Sequence, residues 1–336
     1  MVNLVQLFLF IKERNRESAK KNEMTKRQAW LQAIRLRTLP LSVSGIIVGS
    51  GMAKVLHSIT NPDEDIHFWE IFFLALVTTI SFQILSNLSN DLGDSQKGTD
   101  NKNRIGPTRA VQSGIISQKE MKSAIYICVV LSLISASGLI YFSSQNLTPE
   151  LILFYAILAI VCVSAAITYT VGKNAYGYRG LGDLMVFLFF GMVSVLGVFS
   201  LYGNGFEWLV FFPAVTIGLW STAVLNLNNL RDHVNDKKSS KNTTVVKLGF
   251  QRAKFYHAFL ILGGFAAWLL VIITFTFYTF NFMLPLALVP SFLLFPHLKR
   301  VFLNETPKEL DPELKKVALV TFGSSILYAL LINFSL

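Results

Sequence analysis

Charge is scarce in this chain. Only 15% of its 336 residues are Asp, Glu, Lys or Arg, against 52% hydrophobic residues; a soluble domain carries about a quarter charged residues. An ordinary water-soluble globule is thereby excluded. Cysteine is scarcer still: Cys128 and Cys162 are the only two, each inside an apolar run. They read as small core residues, which excludes a disulfide framework or a cysteine metal pair. The five histidines, at 57, 67, 233, 257 and 297, are scattered without ligand spacing. No nucleic-acid motif is present, and no cleavable signal peptide is evident. Residues 3–11 are apolar but too short to span a bilayer, and an Arg/Lys/Glu-rich stretch follows them. Met24 precedes a plausible start, so residues 1–25 are expected to form a charged, poorly ordered extension and residues 26–336 the transmembrane domain.

What the chain does have is apolar length. Nine runs of about 20 residues, each long enough to cross a bilayer as a helix, cover roughly 39–57, 68–90, 120–142, 150–171, 181–202, 207–230, 252–276, 281–298 and 317–335. The eighth is interrupted by Pro285, Pro290 and Pro296, tolerable where neighbouring helices satisfy the freed carbonyls. The reading is an all-α integral membrane protein of about nine transmembrane helices. Of the 30 Lys and Arg, 29 fall on one side of that arrangement, leaving only Lys54 on the other. The opposite loops carry Asp63, Glu64, Asp65, Glu70, Glu150 and Glu207. Positive loops stay in the cytoplasm, which predicts a cytoplasmic N-terminus and an external C-terminus. The net charge of +10 is then mainly topology.

Two acidic clusters end the second and sixth runs. One reads Asn87-Leu-Ser-Asn90-Asp91-Leu-Gly-Asp94, the other Asn228-Asn229-Leu-Arg231-Asp232-His-Val-Asn-Asp236. In each, an Asn precedes an Asp by four, which puts the pair on one helix face. Helix C-termini are electronegative, so carboxylates gathered there are disfavoured by about 0.3–1 kcal/mol each. A divalent cation removes the conflict. Oxygen-only ligands suit Mg²⁺, which keeps open positions that phosphate oxygens fill. The alternative, acids solvated at loop starts and paired with nearby Lys and Arg, would account for one cluster better than for two matched ones.

Basic residues follow each cluster: Lys97, Lys102, Arg104 and Arg109 after the first, then Lys237, Lys238, Lys241 and Lys247 after the second. Carboxylates for Mg²⁺ and cations for the remaining phosphate charge make a metal–diphosphate clamp. The positive-inside signal alone explains Lys237 and Lys238. It explains less well the turn Arg104-Ile-Gly106-Pro107-Thr-Arg109, whose spacing is fixed by Gly and Pro. A third segment on the same side runs Tyr169-Thr-Val-Gly-Lys173-Asn-Ala-Tyr176-Gly-Tyr178-Arg179-Gly-Leu-Gly-Asp183. Asp183 opens an apolar run, where an acid needs a partner. Arg179 is the obvious one, and a helix N-cap is the equal alternative.

These motifs resemble the UbiA superfamily of membrane aromatic prenyltransferases, and within it the menaquinone-pathway branch that acts on 1,4-dihydroxy-2-naphthoate. The matching pieces are Arg35-Leu-Arg37-Thr38-Leu-Pro40, Asn90-Asp91-Leu-Gly-Asp94 with Lys97 and Asp100, Arg104-Ile-Gly-Pro-Thr-Arg109, Tyr176-Gly-Tyr-Arg-Gly-Leu-Gly-Asp183 and Asn228-Asn-Leu-Arg-Asp232 with Asp236. Leu36 departs from the pattern, which has Pro there. Asp94 departs too, lying three residues after Asp91 where the family spaces four, so that Asp100 is a candidate further carboxylate.

The resemblance implies nine helices around a central cavity open to lipid. It also implies Mg²⁺-dependent transfer of a polyprenyl group from polyprenyl diphosphate, with loss of diphosphate and CO₂, giving demethylmenaquinone. Asn87, Asp91, Asp94, Asn228, Asp232 and Asp236 would hold Mg²⁺. Lys97, Arg104, Arg109 and Lys241 would take the phosphates. Arg37, Lys173 and Arg179 are candidates for the acceptor's carboxylate. Tyr176 and Tyr178 would steady an allylic cation, or serve as interfacial aromatics. The implied location is the inner membrane, with the site facing the cytoplasm. Other aromatic acceptors, of the 4-hydroxybenzoate or homogentisate type, remain open within the superfamily. A transporter would place acids at mid-bilayer, where this chain has almost none. A CDP-alcohol phosphotransferase would keep its acids in one contiguous motif.

Overall fold

The computed structural model describes residues 24–60, 66–101, 104–205 and 207–334. Most of the 1–25 extension, the acids at 63–65 and Lys102 lie outside the described residues. Those residues are helical with no strand, and nine of their helical stretches are long and apolar enough to cross a membrane.

The chain begins with α1 (Lys26–Ile34) and α2 (Leu39–Thr60), which together form the first span. Thr25 and Gln28 close a reciprocal cap at the start of α1, satisfying two otherwise orphan donors. Arg35 then takes a left-handed conformation at φ 56° and breaks the helix, so that a short turn over Leu36–Thr38 leads into α2. The spans α3 (Phe68–Gln96), α4 (Gln118–Ser143) and α5 (Pro149–Thr168) follow. Ser117 and Glu120 cap α4 in the same reciprocal way, and Pro149 starts α5 at a position where no amide is needed. Next come α6 (Gly182–Ser200), π-helical over Phe187–Gly197, and α7 (Trp208–Lys238). A short α8 (Thr244–Leu248) leads to α9 (Phe250–Thr279), α10 (Leu284–Leu303) and α11 (Asp311–Asn333). The proline-broken eighth span is met by a tight 3₁₀ segment over Leu284–Leu293 before α10 becomes regular.

One large core joins α2, α6, α7, α9, α10 and α11 around Trp220, Trp268 and Tyr328, all fully buried. Small residues let the helices approach: a Cβ on Gly191 of α6 would lie 2.5 Å from the Ala214 carbonyl oxygen of α7, the close-packing use of Gly in membrane helices. Buried polar pairs lock the later helices. His257 of α9 shares a 2.8 Å Nε2–Nε2 contact with His297 of α10, which reaches Glu313 of α11 at 2.7 Å. By contrast α4 and α5 expose apolar side chains such as Tyr126, Ile134, Leu153 and Ile160, a surface fit for lipid.

A second, smaller core sits at the end where the basic residues gather. It packs Ala29 and Ala33 of α1 against Leu88 and Leu92 of α3 and against Ala110, Ile116 and Met121. This core packs the 110–116 part of the following connection over the end of α3, beside the first acidic cluster. The helices α3 and α7 run on past their apolar stretches to Gln96 and Lys238, so both clusters lie on the last turns of helices, buried.

Candidate active site

A cavity of about 580 Å³ opens between α2, α3, α4, α5, α6 and α7. At one end its wall carries Asn87, Asp91, Asp94, Asn228, Asp232 and Asp236, together with Arg35, Arg104, Arg109 and Lys241. The rest is mainly apolar, with Ala136, Leu139, Ala159, Cys162, Phe189 and Phe190 among its wall residues. On α5 the lining runs from Ala166 to Tyr155, about 16 Å of helix at 1.5 Å per residue. The four-residue spacing therefore does what it predicts: each Asn and its Asp face one cavity from two helices.

The acids are not solvated loop starts. Asp91, Asp94, Asp232 and Asp236 are 1%, 6%, 3% and 4% exposed. Asp91 accepts the backbone N–H groups of Ala110 at 3.1 Å and Val111 at 3.3 Å, pinning the folded-over connection to α3. Asp94 accepts a 2.7 Å bond from the Tyr178 hydroxyl and pairs with Lys241 at 3.2 Å. Asp232 is gripped side-on by Arg231, Nε to Oδ1 at 3.1 Å and Nη2 to Oδ2 at 2.6 Å, with Arg104 Nη2 at 3.4 Å. Asn87 donates to the Ile34 carbonyl at 2.9 Å and Asn228 accepts from Arg231 at 2.7 Å. The connection after α3 is tied to α7 by Asn235, which donates to the Thr99 carbonyl at 2.8 Å.

Some of the donors here lack an acceptor. Nε of Arg35 and Nε of Arg109 are buried without a hydrogen-bond acceptor. Burial, and then the charges of Arg35 and Arg104, hold the Arg109 guanidinium well below its ordinary value. A charged arginine in that position is stabilised by an arriving anion. Asp100 supplies part of the answer: its carboxylate is 3.1 Å from Arg104 Nε and 3.9 Å from Arg109 Nε. Burial pushes that carboxyl up to about 6 against the pull of Arg109 and Arg104. Asp100 is thus a brace for two arginines and does not line the cavity. The oxygen-only donor set fits a hard divalent cation. Among the described residues no three His, Cys, Asp or Glu side chains converge closely enough to hold an ion unaided. Water, Asn and phosphate oxygens would complete the shell.

Other candidates fall elsewhere. Arg37 lines the cavity mouth and pairs with Asp311 at 3.2 Å. Lys97 sits over the Tyr178 ring, 4.1 Å from its centroid, with Lys241 at 5.2 Å from the same centroid. Tyr178 therefore acts as a donor to Asp94, and burial beside Asp94 raises its phenol so that the proton stays on. Tyr176 and Tyr169 line the cavity edge to face at 5.2 Å, and Tyr176 donates to the Ala165 carbonyl at 2.9 Å. Lys173 and Arg179 are exposed and outside the lining. Arg179 donates to Asn174 at 2.5 Å and makes no pair with Asp183. Asp183 instead lies beside the hydroxyls of Thr244 of α8 and Tyr256 of α9, and its Oδ2 is buried without a hydrogen-bond partner. The residues missed from the sequence are Arg35 and Asn90, both in the cavity lining, the brace role of Asp100, and the pair Arg231 and Asp311. Arg35 stood in the quoted Arg-x-Arg motif. Its helix-breaking backbone is what turns it inward.

Comparison with known proteins agrees with this geometry. The sequence model of the UbiA prenyltransferase family matches residues 59–311. A 1,4-dihydroxy-2-naphthoate octaprenyltransferase of Haemophilus influenzae is 37% identical over 312 residues, covering 93% of this chain and 98% of its own. One of Escherichia coli is 43% identical over 248 residues, covering 72% and 75%. A UbiA homolog from Archaeoglobus fulgidus, solved bound to GPP and Mg²⁺, superposes with a TM-score of 0.60 at 15% identity over 89% of this chain and 99% of that one; at that identity the likeness is one of fold. The family match runs through both acidic clusters, and with a relative of 37% identity matched along nearly its whole length the chain belongs to the UbiA prenyltransferase family.

Proposed function

We propose that this protein transfers a polyprenyl group from polyprenyl diphosphate to 1,4-dihydroxy-2-naphthoate, with Mg²⁺ held at the two acidic clusters. One observation carries the reading: a single cavity joins a pole of four buried carboxylates and four cations to a long apolar bore. Only a substrate with a polyanionic head and a hydrocarbon tail uses both ends. The naphthoate acceptor is supported by the relatives' names.

Asp91, Asp94, Asp232 and Asp236, with Asn87 and Asn228, would hold Mg²⁺, which when bound neutralises the diphosphate and favours its departure. Arg35, Arg104, Arg109 and Lys241 take the remaining phosphate charge in a site shielded from water, where such contacts are strongest. The allylic C–O bond breaks and its electron pair leaves with diphosphate. The electron-rich ring then forms a C–C bond to the allylic carbon. CO₂ departs with its bonding electrons left in the ring, giving the quinol form of demethylmenaquinone. The apolar bore keeps water from the allylic cation, and the Tyr169 and Tyr176 rings, which line it, would steady that cation. The tail stays in an apolar phase because each buried CH₂ contributes about 0.8 kcal/mol.

The basic residues at the site's end of the bundle orient it toward the cytoplasm across the inner membrane, and residues 26–336 act as one transmembrane domain. The test is Asp91→Ala and Asp232→Ala, each in protein shown to be inserted and folded. Both should abolish transfer, and near-wild-type activity in either sinks the two-cluster reading.

A further inference from the structure

Behind Asp232, on the side away from the cavity, runs a chain of charges that the reaction as described does not use. Arg231 has a side chain with no solvent exposure and does not line the cavity. Its Nε and Nη2 hold the two oxygens of Asp232 at 3.1 and 2.6 Å, and Nη2 also donates to Asn228 at 2.7 Å. Its remaining nitrogen, Nη1, is bound by Asp311. Asp311 is the first residue of α11 and lies 80 positions further along the chain. Its other oxygen pairs with Arg37 Nη1 at 3.2 Å. Asp311 is itself outside the cavity lining.

We propose that Asp311 is a positioning residue for the second acidic cluster, holding Arg231 from behind so that Arg231 keeps Asp232 in plane and available to a divalent cation on its cavity side. The inference rests on the reading of Asp232 as a metal ligand. Two physical effects follow from the chain. The first is geometric: a guanidinium fixed at both ends presents its fork in one orientation, and a side-on fork fixes a carboxylate plane. The second is electrostatic. With Asp311 present, the charge of Arg231 is divided between two carboxylates, and Asp232 retains more of its attraction for a cation. Without Asp311 the whole charge of Arg231 bears on Asp232 and competes with the metal. Groups that orient a metal ligand from behind in this way typically change metal affinity by about 10–100-fold. The position of Asp311 favours the role, because a helix N-terminus stabilises a carboxylate. Its partners also tie α11 and the turn before α2 to the site.

The test is Mn²⁺ binding to the full-length protein in detergent, read by the loss of free-Mn²⁺ EPR signal in the presence of geranyl diphosphate, for wild type, Asp311→Asn, Arg231→Lys and Asp232→Asn. Asp311→Asn removes the charge at a partly exposed site with no change of shape. It should weaken Mn²⁺ binding about tenfold, and transfer activity should recover as Mg²⁺ is raised. A merely structural role would lower activity at every Mg²⁺ concentration and leave Mn²⁺ affinity unmoved. Should Asp311→Asn not fold, Arg231→Lys carries the test, since a lysine cannot fork one carboxylate and reach the other; wild-type Mn²⁺ binding in it overturns the proposal. Weak binding in Asp232→Asn with wild-type binding in Asp311→Asn overturns this inference alone. Wild-type binding in Asp232→Asn overturns the metal reading beneath it.

Discussion

Adding one carbon to Gly106 should slow the enzyme without unfolding it. A Cβ at that position would lie 2.6 Å from Arg231 Nη2 and 3.0 Å from both terminal nitrogens of Arg104. These are the two guanidiniums that hold Asp232. Neither has room to withdraw into solvent, because their side chains are 0% and 7% exposed. Arg104 is further fixed by a 2.7 Å bond from Nη1 to the Pro107 carbonyl. The methyl group of Gly106→Ala must therefore displace at least one charge-assisted hydrogen bond to Asp232, at a cost of about 1.5–3 kcal/mol. If that bond serves the reacting complex, kcat/KM falls about 10- to 100-fold. The assay is prenyl transfer in detergent with saturating Mg²⁺, alongside gel filtration and thermal unfolding. Gly205→Ala, whose added carbon meets no atom within 4 Å, is the reference. Activity of Gly106→Ala within twofold of wild type would refute the argument that the turn locks the arginines on Asp232.

Lys241 and Lys237 are four residues apart, yet Lys241 reaches Asp94 in the cavity while Lys237 is exposed; Lys241→Ala should lower kcat/KM about 100-fold or more and Lys237→Ala less than about twofold, with equal losses contradicting the placement of the phosphate pole. Tyr178→Phe keeps the ring beneath Lys97 but loses the 2.7 Å bond to Asp94, so kcat/KM should fall about 10-fold with little change in thermal stability. Ala159→Phe fills the bore on α5; it should depress transfer from a long polyprenyl diphosphate far more than from geranyl diphosphate, and equal losses with both donors would show that the tail runs elsewhere.

The frame of this protein was readable from its sequence because two strong physical rules govern it. A helix needs about 20 apolar residues to cross a bilayer, and all nine anticipated runs coincide with the spans among the described residues. The acidic clusters were readable because an i, i+4 pair shares a helix face whatever the tertiary fold. Contacts between distant segments left no such trace. Asp311 meets Arg37 across 274 positions, and no local pattern joins them. For Asp183 the sequence offers Arg179 as a partner or a cap on its own helix, both near in sequence, whereas the chain brings Thr244 and Tyr256 to it from α8 and α9. The family resemblance makes Asp100 a candidate further carboxylate. The fold turns it away from the cavity to brace Arg104 and Arg109. Arg35 was hidden by its backbone, since a left-handed residue between two helices redirects a side chain that helical periodicity would point elsewhere.

The central claim is the pairing of a metal–diphosphate pole with a naphthoate acceptor. It is tested most directly by supplying the purified protein, in detergent or liposomes, with Mg²⁺ and a long polyprenyl diphosphate. 1,4-Dihydroxy-2-naphthoate and 4-hydroxybenzoate are offered in parallel, and prenylated product and CO₂ are measured. Prenylated product with stoichiometric CO₂ from the naphthoate alone is the predicted result. Product from the benzoate alone would contradict the acceptor while keeping the diphosphate site, and no product from either acceptor, with folded protein, would contradict the account as a whole.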